Sequence, residues 1–436
     1  MGLTKVNKFV MVGMSLLLLC SCIPAKISLN PGISSQVLAK SALLRDTKPH
    51  VPEADLAAVV AGNTKFALKV FPLLDTSPNN NTFFSPYSVT QAFSLLAPGA
   101  RGTTLSGIRQ SLFFTLPQQR INPALNRLDL LIAGKTSGKF LQNGLQTPKL
   151  HSANAVWIQQ GFPILPSYLD TIAVNYGAGL HLVDFFDATE TSRKTINAWA
   201  EEQTDHRIQN LIPPNGVSPS TRIILTNAVW FKASWASQFQ RSTSANMIFN
   251  NRDGSTPLVP YMRQRYSLPY ARINGSQAVD IAYAGNRMSM LVIMPMPGKF
   301  DPFLATLTPD VLADITKQLT NRVMDFAMPT FSFTRASKIE QILVHLGMID
   351  AVVPARADFS GIDGNHNLFI EDVFHQAFIS SNEEGTESVA ATAIVMQDAG
   401  KSRSPDMTLT IDRPFIFLIR DRETGLILFL GKVVSL

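Results

Sequence analysis

The 26 residues from Ser381 to Asp406 limit what this chain can fold into more than any other segment. They are mostly small or polar, and apolar runs flank them, Val373 to Ser380 before and Met407 to Ile411 after. A patternless stretch of this length is uncommon inside a compact domain and is usually functional. If it were extended, Thr386, Ser388, Ala390, Thr392 and Ile394 would share one face. Glu387, Val389, Ala391, Ala393 and Val395 would share the other. The first face carries only small or apolar side chains, and the one charge, Glu387, falls on the second. No proline interrupts Gly385 to Ser404, so no ladder hydrogen bond would be lost. A surface loop that could equally be a central strand is a stored conformational change. The plain alternative is a flexible loop with chance alternation.

The rest of the chain supplies the core such a strand would need. Of 436 residues, 45% are apolar and only 16% charged, which excludes wholesale disorder. From about residue 54 onward, helical and strand-like patterns alternate without a linker or a repeat. Ala54 to Leu74 has apolar residues at helical spacing, and Ser85-Pro86 has the chemistry of a helix start. Residues 193–211 and 336–347 also read as helical. Ala153 to Ile158, Arg222 to Phe231, Met288 to Met294, Val323 to Phe333 and Phe415 to Ile419 read as strands. Several are almost continuously apolar, as strands of a covered sheet are. The mixture lacks strict strand–helix alternation, so the expected fold class is α+β with mixed sheets. No glycine-rich phosphate loop and no Gly-x-Ser-x-Gly elbow occurs, which argues against nucleotide enzymes and α/β hydrolases.

The N-terminus reads as an address. Lys5 and Lys8 precede an apolar run from Phe9 to Leu19, too short for a stable membrane span. Leu19-Cys20-Ser21-Cys22 resembles a bacterial lipobox, which implies cleavage after Ser21 and lipidation of Cys22. The other reading is ordinary cleavage nearby, after Ala25. The expected organisation is a signal peptide over residues 1–21, a tether over 22–53 and one domain over 54–436. The expected location is the cell envelope, held at the outer membrane by lipid, or the outside of the cell after secretion. Removing Lys5 and Lys8 lowers the formal charge from +6 to +4, and no long basic run remains, so nucleic acid is not an expected partner. Cys20 and Cys22 are the only cysteines. The histidines at 50, 151, 181, 206, 345, 366 and 375 lack metal-ligand spacing. No metal or cofactor is expected.

Glu383-Glu-Gly-Thr-Glu387, followed by small residues, resembles the proximal hinge of the serpin reactive-centre loop. The resemblance extends from about residue 54 to Leu436. It includes Asn81-Thr-Phe-Phe-Ser85-Pro86-Tyr-Ser88, Gly99-Ala-Arg-Gly102, Ile196-Asn197-Ala-Trp199, and Leu225-Thr-Asn227-Ala228-Val-Trp-Phe231-Lys232-Ala-Ser-Trp235. Met328-Pro329-Thr-Phe331, Asp358-Phe359-Ser360-Gly361 and Asp412-Arg-Pro414-Phe415 follow in order. Three departures stand out. Ala233 replaces a usual glycine, which is expected to tighten a bend. His206-Arg207 replaces a glycine-containing pair. Val389 is larger than the usual alanine, but on the outward parity.

The resemblance implies three β-sheets, eight to nine helices and an exposed reactive-centre loop over about 383–406. It implies a monomeric, non-enzymatic inhibitor of serine proteases, with cysteine proteases possible targets. Such an inhibitor is cleaved once and traps the enzyme by inserting the loop into the main sheet. A non-inhibitory binding or chaperone-like module is the alternative. Glu383, Glu384, Gly385, Thr386, Glu387, Ser388, Val389, Ala390, Ala391 and Thr392 would form the hinge. Ser85, Ser88, Asn227 and His375 would line the shutter, where the sheet opens, with Trp235 and Glu383 at the breach above it. Counting about 17 residues from Glu383 places the scissile bond at Ala399-Gly400, which suits an elastase-like enzyme. Counting about 11 residues back from Asp412 places it at Arg403-Ser404, which suits a trypsin-like one, as would Lys401. Met396 is a further candidate. The first count is preferred because insertion length governs trapping. Lys135, Lys139 and Lys149 read as a solvated face, with a polyanion site as the other possibility.

Overall fold

The computed structural model describes residues 37–74, 77–386 and 404–436. Eight helices of seven or more residues lie among them. They are α1 (Glu53–Val70), α2 (Pro86–Leu96), α3 (Gly102–Ser111), α4 (Gln118–Lys135), α5 (Pro166–Tyr176), α6 (Thr189–Gln203), α7 (Phe300–Thr306) and α8 (Pro309–Lys317). Short helical turns occupy 340–352 and 360–363. Helix α2 begins as its sequence requires. The Ser85 hydroxyl accepts from the backbone N–H of Ser88 at 3.1 Å, and Pro86 fills the first position, where no N–H is needed. The helix is buried on every side. Helix α1 and the turn after it are long and apolar enough to cross a membrane by composition, yet Phe66, Ala67 and Val70 are wholly inside the fold.

Sixteen strands complete the described residues. In chain order they are β1 (Val37–Ala39), β2 (Thr82–Phe84), β3 (Lys149–Gln159), β4 (Leu180–Val183), β5 (Ile223–Ser234), β6 (Ala245–Ile248), β7 (Leu258–Ile273) and β8 (Ser276–Ala282). There follow β9 (Met288–Met294), β10 (Thr320–Pro329), β11 (Phe331–Lys338), β12 (Ile370–Ser381), β13 (Gly385–Thr386), β14 (Met407–Thr410), β15 (Phe415–Asp421) and β16 (Ile427–Val433). One sheet runs β1-β4-β3-β5-β13-β12-β11 and the other β14-β10-β7-β8-β9-β15-β16-β2, with β6 added on β7. Strand β5 is buried on both faces over nearly its whole length, which is why it reads as a continuous apolar run. On one face lies the main core with α2. On the other, α6 covers Ala155, Trp157 and Ile224 with Ile196 and Trp199.

Four expectations change. The three implied sheets form two ladders, because β7 spans 16 residues and pairs with β6 and β10 along its length before joining β8 at its end. Val323 to Phe333 is two strands broken at Thr330, where the chain passes from the second sheet to the first. Residues 336–338 are strand, not helix, because pairing with β12 overrides local spacing, and helix starts only at Glu340. The stretch read as a tether is bound to the body from Val37. Strand β1 pairs antiparallel with β4, and Arg45 donates to Asn126 and Asp129 of α4. The signal peptide read over 1–21 and the lipidation read at Cys22 fall within residues 1–36, which lie outside the described residues.

Candidate functional site

The first sheet has a seam at its centre. Strands β5 and β12 run parallel and pair directly from Ile223↔Ile370 to Trp230↔Phe378. Above that point they part, and β13 lies between them. It pairs antiparallel with β5 (Gly385↔Ser234, Thr386↔Ala233) and with β12 (Thr386↔Ser381).

Midway along the seam, polar side chains meet in an otherwise apolar interior. Register brings Asn154 of β3, Asn227 of β5 and His375 of β12 side by side. Helix α2 presents Ser85 and Ser88 to them from below. The Ser85 backbone N–H donates to His375 Nε2 at 3.3 Å, so Nε2 is the bare nitrogen and Nδ1 carries the proton. Nδ1–H donates to Asn227 Oδ1. Asn227 Nδ2 in turn donates to Ser88 Oγ at 2.7 Å and to Asn154 Oδ1 at 2.6 Å. Ser88 Oγ donates to Asn154 Oδ1 at 2.8 Å and lies 3.0 Å from Ser152 Oγ. Ser85 Oγ donates to the Leu428 carbonyl of the second sheet at 2.7 Å. Burial holds His375 neutral, pushing its pKa from 6.5 down to about 3. Its two ring nitrogens are taken by a backbone N–H and an amide oxygen, not by a hydroxyl, and it is 1% exposed, so this cluster does not present a nucleophile–base pair to a substrate. What it can do is tie three strands and a helix terminus together with neutral hydrogen bonds that break when the strands slide apart.

The second cluster caps the seam. Trp235 is fully buried, stacked on Tyr283 with centroids 4.7 Å apart and packed edge-on to Phe239. Its indole N–H donates to the Asn382 carbonyl at 2.8 Å, and its backbone N–H to the Glu384 carbonyl at 2.9 Å. The Phe239 N–H donates to the Glu383 carbonyl at 3.0 Å. Glu383 accepts from Ser244 Oγ at 2.6 Å, and Glu384 accepts from Arg241 Nε at 2.6 Å. Gly385 has no alternative here, since a Cβ would stand 1.9 Å from the Ala233 carbonyl oxygen. Thr386 is wholly buried, with its hydroxyl 2.8 Å from the Tyr283 hydroxyl.

The structure therefore brings Ser85, Ser88, Asn227 and His375 into one network, and Trp235, Glu383, Glu384, Gly385 and Thr386 into another. It corrects the picture of a wholly exposed hinge, because Gly385 and Thr386 are already strand and Glu384 to Thr386 are buried. Ala233 makes no bend, but continues β5 beside Thr386. Glu387, Ser388, Val389, Ala390, Ala391, Thr392, Met396, Ala399, Gly400, Lys401 and Arg403 lie outside the described residues, and Ser404 is exposed where the chain returns toward β14. Lys135 is no surface cation. It is 8% exposed and donates to both carboxylate oxygens of Asp421 at 2.9 Å. Sequence reasoning missed Ser152, Asn154, Arg241, Ser244 and Tyr283. Ser152 and Asn154 had a signal, as polar residues alternating into an apolar strand; the others had none.

A family profile described as serpin (serine protease inhibitor) matches residues 61–436. An uncharacterized serpin-like protein of Thermococcus kodakarensis is 37% identical over 364 residues, spanning 82% of this chain and 81% of its own length. Antithrombin-III of Mus musculus is 30% identical over 428 residues, spanning 96% of this chain and 91% of its own. Among solved structures, native tengpin, a thermophilic serpin, superposes with a TM-score of 0.77 at 26% identity, covering 91% of this chain and 97% of its own. A parallel seam crossed by buried polar side chains, the short strand Gly385–Thr386 seated at its head and a family match over most of the sequence lead to one conclusion: the chain belongs to the serpin (serine protease inhibitor) family, whose members are not catalysts.

Proposed function

We propose that this protein is a single-use inhibitor of serine proteases, and secondarily of cysteine proteases, that works by inserting its cleaved loop into the β5–β12 seam. The observation that carries this reading is the seat of Gly385 and Thr386. They occupy the first two strand positions between β5 and β12, antiparallel to both. Continued downward, the same segment would replace one parallel ladder by two antiparallel ones, which pair slightly better per residue. From Thr386 to Ile394 the inward parity supplies Thr386, Ser388, Ala390, Thr392 and Ile394, so the first side chains to pass between the strands are small and none of the five is charged. Cleavage at Ala399-Gly400 and an elastase-like target belong to this proposal, with Arg403-Ser404 and a trypsin-like target second. So does export of a monomer, secreted or lipid-anchored at Cys22. The test is a denaturing gel of the protein mixed with elastase, subtilisin, trypsin or papain. A covalent adduct that survives denaturant is expected with at least one. Cleavage without adduct in every mixture would instead assign a non-inhibitory binding or chaperone-like role. N-terminal sequencing of the released fragment reads the bond.

A further inference from the structure

The chain between α4 and β3 forms a small antiparallel hairpin, with Ser137 bridged to Lys149 and Phe140 to Gln146. It is closely knit. The Gly138 N–H donates to the Pro148 carbonyl at 2.9 Å, the Leu141 N–H to the Leu145 carbonyl at 2.9 Å and the Thr147 N–H to the Lys139 carbonyl at 2.8 Å. Leu145 is the buried anchor. The tip faces solvent with Phe140 70% and Leu141 37% exposed. An ordered, exposed aromatic costs little entropy on binding, and aromatic anchors dominate protein interfaces.

Charge surrounds this tip. No acidic residue occurs from Leu130 to Leu169. Lys139 is exposed, and the Lys149 stem lies against Gly138 of the hairpin. Lys149 stands directly across from Lys232 in register, although like charges opposite one another destabilise a sheet. The patch is thus apolar at its centre and cationic at its edge.

Its position relates it to the hinge. Gln146 exchanges hydrogen bonds with Ser234, its N–H donating to Oγ at 3.1 Å and its carbonyl accepting from the Ser234 N–H at 3.0 Å. Gly385 pairs with the same Ser234 from the other side. Two strand spacings, about 10 Å, therefore separate Gln146 from Gly385, and Phe140, bridged to Gln146, stands about one spacing farther out. A standard footprint of about 800 Å² on one partner is broad enough to reach from the head of the seam to this tip.

We propose that hairpin 137–149 is a docking element for the body of the attacking protease, resting on the inhibitory reading above. Phe140 and Leu141 enter an apolar depression, and Lys139 and Lys149 face an acidic rim. A polyanion would leave Phe140 and Leu141 without a use, which favours a protein occupant. The experiment compares the wild-type protein with Phe140→Ser/Leu141→Ser and with Lys139→Glu/Lys149→Glu against pancreatic elastase, subtilisin, trypsin and papain. Association rate and stoichiometry of inhibition are measured for each enzyme that wild type traps. At least one association is expected to slow about fivefold or more in the apolar double variant. Its stoichiometry should stay unchanged, because docking precedes acylation and stoichiometry reports the insertion that follows it. Rates within about twofold of wild type for every trapped enzyme overturn the inference while the inhibitory reading stands. Failure of wild type to trap any of the enzymes removes both. A wild-type dimer in sedimentation velocity that Phe140→Ser dissolves, or dextran sulfate binding lost in the lysine variant with protease rates unchanged, gives the patch to another occupant and overturns the inference as well.

Discussion

His375 joins three strands only because it stays neutral. In the unfolded chain its pKa is the ordinary 6.5, and in the fold about 3. Below pH 6.5 the unfolded chain takes up a proton that the folded one refuses. This residue's share of stability is therefore complete above 6.5 and drains away as pH falls toward 3, by on the order of 5 kcal/mol in total. Denaturant midpoints from pH 7 to pH 4 should fall less steeply in His375→Gln than in wild type, and parallel curves would remove His375 as the cause. Asn227→Ala leaves His375 Nδ1–H without its acceptor and takes one donor each from Ser88 and Asn154, at an expected cost of about 2–3 kcal/mol, read as a lower urea midpoint. His206 gives the opposite case. It sits at φ 61° directly after Asp205 at φ 48°, in the left-handed region, where this sequence departs from the family's glycine-containing pair. Its side chain is exposed, with one bond of 3.2 Å to Glu201. His206→Gly should stabilise the fold by about 1 kcal/mol, read as a higher urea midpoint, because relief of the positive φ outweighs one exposed side-chain contact. The meeting of Ser85 and His375, 290 positions apart, was legible only by family resemblance, since neither periodicity nor spacing carries contacts of that range.

At the level of elements, what was legible depended on whether one strand's own pattern decided the outcome. Met288–Met294 is buried at every position and was read with the right bounds, because an apolar run of that length leaves no other choice. The break at Thr330 was not legible. Pro329 marks an interruption, but not a change of sheet, which the pairing partners of β10 and β11 decide from elsewhere. The hinge combines both situations. Its parity was readable and Thr386 does point inward, whereas its seating depends on Tyr283, Arg241 and the turn at Asn382, which no pattern announces. Thr386→Arg tests the element. The buried pocket beside Tyr283 cannot take a guanidinium, so the first strand position is vacated and insertion is slowed. The variant should fold, be cleaved by the enzymes that wild type traps, and yield fragments where wild type yields adduct. Adduct in undiminished amount would mean that insertion does not proceed through this seat.

For the molecule as a whole, the proposed mechanism requires that the β5–β12 seam make the intact fold a compromise. Below Thr386 these two strands are joined by a parallel ladder and by the Asn227–His375 contact, and both must be broken for a third strand to enter. A strand of about ten residues entering the seam forms hydrogen bonds on both edges, each worth about 0.5–1.5 kcal/mol net. The seam itself loses a single parallel ladder. The difference is on the order of 10 kcal/mol in favour of the inserted form, before any side-chain burial is added. In the proposed mechanism, the covalent link through Ser404 to β14, which pairs with β10 of the other sheet, would restrain that insertion until the loop is cut. Limited proteolysis within residues 387–403 should therefore leave a two-chain product that melts at a much higher temperature than the intact protein, by calorimetry under identical conditions. The same nick in Thr386→Arg should raise the transition far less, because the strand cannot take its first position. A clipped wild-type molecule no more heat-resistant than the intact one would show that the seam does not open, and with it the proposed trapping mechanism would fall.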